Sequence, residues 1–173
     1  MFPPYANGLY STGPIAAAMQ RPRQYITDLI RRAGLENIGD GRAVAFVDVA
    51  LIRQVAAWVS TDDRSGYGLG LRDAGSLANA LRESFFDAVW FHKSLDALTD
   101  AAPVAQVWRD ENQRHGWAVF LHPTYQSFAA GVSNFNPAFP SPAQRIRFDA
   151  IVIDVAWSLR WAALSLAPHR RID

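Results

Sequence analysis

Residues 141–167 read SPAQRIRFDAIVIDVAWSLRWAALSLA and are the longest apolar stretch of this 173-residue chain. Helix signals mark both ends: Ser141, Pro142 and Gln144 suit an N-terminus with a capping box, and Pro168 follows the last residue. Apolar residues recur at helical spacing on two faces, namely Phe148, Ile151, Val152, Val155, Leu159 and Ala162 on one and Ile153, Trp157, Trp161 and Leu164 on the other. A helix with two apolar faces is covered on most sides, so we predict a central helix over residues 141–167.

The first half of this stretch also fits a strand. Residues 145–149 alternate polar and apolar side chains, and Ile151, Val152 and Ile153 form a run of β-branched residues, which favours extended backbone. The alternative to one long helix is therefore a strand that leads into a shorter helix.

Helical spacing of apolar residues predicts further helices upstream. They are a segment opened by Pro14 and Pro22 and ended at Gly34, a helix from Val44 to about Ser60, and a helix from Ser76 to about Leu98. For the start of the helix predicted from Val44, a strand over residues 43–49 is the alternative, because residues 43–49 are rich in β-branched side chains. Residues 61–75, which are rich in glycine and aspartate, are predicted to form a loop. Arginines 21, 23, 31 and 32 gather near the first segment and are interpreted as a solvated face.

Residues 103–123 favour a β-hairpin, because two apolar stretches flank a polar turn. A helix from Pro103 through Arg114 is the alternative, since proline suits the first turn of a helix. Residues 124–140 are rich in Asn, Ser and Pro, so we predict a loop whose phenylalanines pack onto the core.

These elements predict a mainly α fold, a compact helical domain around a central C-terminal helix with a possible β-hairpin at residues 103–123. The alternative is an α+β domain in which residues 43–49 and 145–152 pair in a sheet. We expect one globular domain over residues 14–173, preceded by an extended arm over residues 1–13 that is rich in Pro, Gly and Tyr.

Composition excludes several classes of function. The chain contains no cysteine, which excludes disulfides, thiolate nucleophiles and cysteine metal sites. A formal net charge of +1 argues against duplex nucleic acid as a partner. Residues 150–167 approach the length of a membrane span, but Asp154 and Arg160 interrupt them, which argues against such a span. The first residues lack the pattern of a signal peptide, so we expect a cytoplasmic protein.

Three polar residues are predicted on the apolar stripes of three different helices. They are Asp48, His92 and Asp154. If these side chains converged they could form an acid/base pair or hold a divalent metal, as helix bundles do. The spacings typical of helical metal motifs are absent, however, so we predict no metal, and ordinary hydrogen bonds or ion pairs in the core explain the residues equally well.

A fourth candidate is the segment from Arg109 to His115, which reads RDENQRH. An arginine followed six positions later by a histidine resembles the catalytic motif of the HEPN family, helical-bundle proteins of which many are metal-independent ribonucleases. The resemblance covers seven residues and implies that both side chains lie on a helix, with His115 transferring protons and Arg109 holding the phosphate of RNA. The alternative is a charged turn between two hairpin strands.

The absence of a clear catalytic arrangement favours a non-catalytic function. Six Trp and ten Phe are more than we expect a domain of this size to bury, and exposed aromatic surface is typical of binding sites. We therefore predict a binding or assembly protein that contacts a protein partner or a second copy of itself, with the arm and the phenylalanines of residues 128–139 as exposed aromatics. The alternatives are a HEPN-like ribonuclease, for which RNA would be the substrate, and an enzyme with a buried Asp/His site.

Overall fold

The computed structural model describes residues 3–35, 43–60, 68–110, 116–134 and 150–169. Within these ranges the chain forms seven α-helices and five short strands. The helices are α1 (Thr12–Met19), α2 (Arg23–Ala33), α3 (Phe46–Val59), α4 (Leu71–Phe91), α5 (Leu95–Ala101), α6 (Tyr125–Ser133) and α7 (Val155–Leu166). The strands are β1 (Leu9–Tyr10), β2 (Val44–Ala45), β3 (Val104–Arg109), β4 (Trp117–His122) and β5 (Ile151–Asp154). The predicted mainly α fold is confirmed.

Helix α7 lies at the centre of this fold. It contacts α1, α3, α4, α5 and β3. Val155, Leu159, Ala162 and Leu166 on its inward side are fully or almost fully buried. The prediction of a central C-terminal helix is therefore confirmed over residues 155–166.

The predicted helix is wrong over residues 151–154, which form strand β5. The β-branched run pairs with β3, and the backbone N–H of Trp157 donates to Asp154 Oδ1 at 2.8 Å, so Asp154 caps a helix that begins at Val155. The alternative of a strand followed by a shorter helix is the correct one here. Residues 141–149, where the helix was predicted to begin, lie outside the described residues.

The β-hairpin predicted at residues 103–123 is confirmed. Strands β3 and β4 pair antiparallel from Val104 opposite His122 to Arg109 opposite Trp117. The backbone N–H of Asp110 donates to the carbonyl of Gly116 at 3.0 Å next to the last pair. Strand β5 pairs antiparallel with the other edge of β3, which gives a three-stranded sheet in the order β4-β3-β5.

The alternative of a strand over residues 43–49 is correct for two residues only. Strand β2 pairs with β1 in a separate two-stranded sheet, and the chain then enters α3, as the helical stripe predicts. The α+β alternative placed residues 43–49 and 145–152 in one sheet. The two sheets are separate, so that pairing does not occur in the described residues.

Helix α4 begins five residues before the predicted start at Ser76 and ends seven residues before the predicted end at Leu98. His92 is extended, with φ −103° and ψ 102°, and Ser94 Oγ then accepts from the backbone N–H of Ala97 at 3.1 Å to start α5. The predicted helix therefore divides in two at His92. Because α4 includes residues 71–75, the predicted loop over 61–75 is wrong there, and residues 61–67 lie outside the described residues.

The predicted loop over residues 124–140 contains helix α6. Thr124 Oγ1 accepts from the backbone N–H of Ser127 at 3.0 Å, and the Ser127 side chain returns a contact to the backbone of Thr124, which completes a capping box. A serine in the returning position is less typical than glutamate or glutamine, so the sequence does not show the signal clearly. Residues 135–140 lie outside the described residues.

Residues 3–13 lie against the rest of the chain. Tyr10 is buried in β1, and the Tyr5 hydroxyl donates to the backbone carbonyl of His92 at 2.9 Å. Burial raises the pKa of Tyr5 to about 12. The tyrosines predicted as exposed arm residues thus hold this segment to the domain. In the part of the chain that the structure describes, no helix is both long and apolar enough to span a membrane.

Candidate binding surface

Asp48 forms an ion pair within the core. Only 2% of this α3 residue is exposed. Arg82 of α4 donates two hydrogen bonds to it in a bidentate arrangement, with Nε to Oδ1 at 2.7 Å and Nη2 to Oδ2 at 3.0 Å. The hydrogen bond to Asp48 raises the pKa of Arg82 against the opposing effect of burial. The pair satisfies a buried carboxylate and joins two helices.

The other members of the predicted Asp/His group lie elsewhere. His92 follows α4 with its Nε2 buried and without a hydrogen bond to any described residue. Asp154 is exposed and caps α7. Among the described residues, no hydrogen bond or ion pair joins Asp48, His92 and Asp154 to one another. Among the described residues no group of three His, Cys, Asp or Glu could hold a metal ion.

Arg109 is the last residue of a strand, whereas the HEPN resemblance implies a helix. Its Nη2 lies 3.0 Å from Asp73 Oδ2, and its guanidinium lies 4.0 Å from the ring centroid of Trp117. These contacts link the hairpin to α4, as the charged-turn interpretation allows. His115 lies outside the described residues, so the structure does not place the second residue of the motif.

The outward side of α7 is more exposed than the sequence predicts. The second apolar face was expected to be covered, and Ile153 is buried. Trp157, however, is 49% exposed, Leu164 is 59% exposed, and Trp161 is half-buried between them. Exposed Val152 of β5 precedes this stripe. We call these four side chains, Val152, Trp157, Trp161 and Leu164, the α7 outer face.

Arg53 of α3 lies against this face. Its guanidinium carbon is 4.0 Å from the ring centroid of Trp157 and 4.8 Å from that of Trp161, so both tryptophans hold the cation by cation–π contacts. Its Nη1 is buried and has no hydrogen-bond partner among the described residues. Burial lowers the pKa of Arg53. A buried guanidinium N–H without an acceptor is a costly arrangement, because its desolvation is not compensated.

Polar contacts behind the face fix α7 against α3. Gln54 Nε2 donates to Ser158 Oγ, and the Ser158 hydroxyl donates to the carbonyl of Asp154 at 3.0 Å. Both Gln54 and Ser158 are buried. The neighbouring residues on each helix, Arg53 and Trp157, are thereby held in contact.

Arg53 lines two clefts. The smaller, of about 180 Å³, includes Asp154 and Trp157 in its lining. The larger, of about 400 Å³, is lined by Arg53, Arg21, Tyr25 and Trp161 together with apolar side chains of α1 and α3. We call the larger one the Arg53 cleft.

A second exposed aromatic pair lies at the end of α4. Trp90 is 50% and Phe91 65% exposed. Lys93 donates to the Trp90 carbonyl at 2.7 Å and lies 4.5 Å from its ring centroid, so part of this surface is covered by a cation from the same chain. Tyr125 of α6 is also exposed.

Sequence reasoning did not single out Arg53. The available signal was the spacing of Trp157 and Trp161, which are four residues apart and therefore face the same way on a helix. That spacing places two rings on one face of the helix, but it does not show whether the face is covered or that an arginine lies against it.

Comparison of the chain with models of protein families, with curated proteins and with solved structures finds no match. The assignment of function therefore rests on the surface itself.

Proposed function

We propose that this protein is a non-catalytic assembly protein in which two copies associate through the α7 outer face. The observation that carries the proposal is the exposure of Trp157 and Leu164 on a helix whose opposite side forms the core. Exposed aromatic and aliphatic side chains in one stripe are typical of association surfaces.

A second copy is the favoured partner because charged side chains of both signs lie beside the α7 outer face. Asp154 and Arg160 are exposed at the N-terminal end and the middle of α7, and no ion pair joins either to a described residue. A two-fold interface brings the same patch from both copies together, so it must be complementary to itself. A face that offers both a carboxylate and a guanidinium meets that requirement.

The expected affinity is weak. Full burial of a large apolar side chain contributes roughly 1.5–3 kcal/mol, so the exposed halves of Trp157 and Leu164 in two copies contribute about 3–6 kcal/mol. Association costs about 4–15 kcal/mol in lost translational and rotational freedom. Val152, Trp161 and the charge pairs must supply the remainder, and we expect a dissociation constant of about micromolar or weaker.

Sedimentation velocity over a wide concentration range tests this proposal. We expect the weight-average mass to rise from monomer towards dimer, and Leu164→Glu to keep the protein monomeric with an unchanged circular dichroism spectrum. Phe91→Ser is the matched control, because it removes an equally exposed apolar side chain outside the α7 outer face. A wild type that stays monomeric throughout, or a dimer that Leu164→Glu leaves intact, would refute the proposal.

A further inference from the structure

The Arg53 cleft has the dimensions and lining of a small-molecule site. Its volume of about 400 Å³ lies within the range of about 300–1,000 Å³ typical of ligand pockets. Four elements meet there: α1 and the link after it, α2, α3 and α7. Met19, Ala56 and Val59 supply apolar wall, and Tyr25 and Trp161 supply aromatic rings.

The charged part of the lining is cationic, and Gln20 and Ser60 add neutral polar groups. Arg21 and Arg53 both line the cleft, and no carboxylate is among the described residues that do so. The Arg21 guanidinium carbon lies 5.7 Å from the ring centroid of Tyr25, and its N–H groups have no acceptor among the described residues. Each arginine therefore rests on an aromatic ring and keeps donors for another group.

The feature that points to a ligand is the guanidinium of Arg53, which lines the cleft and has ring contacts but no hydrogen-bond acceptor among the described residues. Trp157 and Trp161 contact the guanidinium through their rings, which accept no N–H bond of ordinary strength in the guanidinium plane. A carboxylate or phosphate accepts two such bonds from one guanidinium in a bidentate arrangement. Nη1 itself is closed off from solvent, so an anion in this cleft would bind the other N–H groups of Arg53, which also make no hydrogen bond to a described residue.

We propose that the Arg53 cleft binds a small organic anion, with its carboxylate or phosphate group held by Arg53 and Arg21 and its apolar body against Met19, Val59 and Trp161. The head group pairs with the two cations, and the apolar wall contributes affinity that an inorganic anion does not gain. This site goes beyond the assembly function: it shares Trp161 with the α7 outer face, whereas Arg21, Tyr25 and Met19 lie outside that face.

Isothermal titration calorimetry with three probes of similar size tests the proposal. Phenylacetate and phenyl phosphate carry the two head groups, and 2-phenylethanol is their neutral counterpart. We expect at least one of the two anions to bind about tenfold or more tightly than the alcohol, since a hydrogen bond to a charged group is worth about one order of magnitude or more in affinity. The tighter of the two anions identifies the head group. Equal binding of all three probes, or binding of none, would overturn the proposal.

Charge-removing variants locate the site. Arg53→Gln and Arg21→Gln should each weaken binding of the tighter anion by about tenfold, whereas Arg160→Gln, an exposed arginine of α7 that does not line the cleft, should leave it unchanged. Arg21 is exposed, so its replacement tests the site even if Arg53→Gln unfolds the protein. Anion binding that survives Arg21→Gln and any folded Arg53→Gln form would place the ligand elsewhere.

The same variants separate this site from the assembly surface. Leu164→Glu should retain anion binding while it abolishes association, and Arg21→Gln should do the reverse. Loss of anion binding in Leu164→Glu would show that the cleft exists only in an associated form and would contradict an independent site.

Discussion

Gly75 lies where α4 meets the end of α2, and its replacement by alanine tests the helix contact on that side of the core. A Cβ atom built at this position falls 1.7 Å from the carbonyl oxygen of Ala33 and 2.6 Å from its carbonyl carbon. The obstacle is backbone, which cannot rotate away as a side chain can. The two helices must therefore separate, or α2 must lose the last part of its final turn.

The magnitude follows from two opposing effects. Overpacking in a core costs typically about 1–3 kcal/mol, and we expect the upper end because the contact is with backbone. Alanine has a higher helix propensity than glycine by about 1 kcal/mol, which offsets part of this cost. The expected net loss is about 2 kcal/mol, and for a chain of this length that corresponds to a fall of about 4–8 °C in the midpoint of thermal unfolding.

Gly13→Ala in α1 is the matched control. The nearest atom to its added Cβ is Ser11 Oγ at 3.9 Å, an ordinary contact. Thermal unfolding followed by circular dichroism should show Gly13→Ala at or slightly above the wild-type midpoint and Gly75→Ala well below it. If both variants were equally stable, the close approach of α4 to α2 would be wrong.

Four further outcomes are expected. Asp48→Asn should lower the free energy of unfolding by about 2–3 kcal/mol in urea titrations, because it leaves the partly buried guanidinium of Arg82 without its carboxylate. No measurable change would contradict the ion pair. Burial lowers the pKa of His122 below its ordinary 6.5, so the folded state binds fewer protons than the unfolded state, and the free energy of unfolding should fall as pH drops below about 6.5. The fall should be smaller in His122→Asn, and an equal fall in both proteins would show that other groups cause it. Thr124→Ala should lower the stability of α6 by about 1 kcal/mol, seen as faster hydrogen exchange in that helix. Global unfolding should change little because α6 contains no buried residue, and unchanged exchange would contradict the capping box. Finally, the wild type should not cleave single-stranded RNA without added metal; cleavage that Arg109→Ala and His115→Ala both abolish would establish the ribonuclease alternative instead.

The elements that could be predicted from sequence are those in which local pattern and burial agree. The stripe of α4 through Leu77, Leu81 and Phe85 is fully buried, and Gly34 ends α2 in the left-handed region with φ 69°. The wrong assignments of helix and strand lie where the apolar spacing fits more than one structure. The β-branched residues at 151–153 satisfy both periodicities, and only the neighbouring strand β3 decides between them. His92 continues the apolar spacing of α4, yet the chain turns there because Ser94 starts a new helix.

The candidate surface could not be predicted for a related reason. Apolar spacing shows which side chains share a face of a helix, but it does not show whether another element covers that face. The inward face of α7 consists of small or aliphatic residues such as Ala162 and Leu166, and α7 packs against α3 and α5. The outer face instead holds two tryptophans. Indole rings are large enough to hold an arginine from a neighbouring helix and still remain half exposed. The tryptophan spacing is visible in the sequence, but only the structure shows that this side of α7 is left partly uncovered and that Arg53 of α3 lies against both rings.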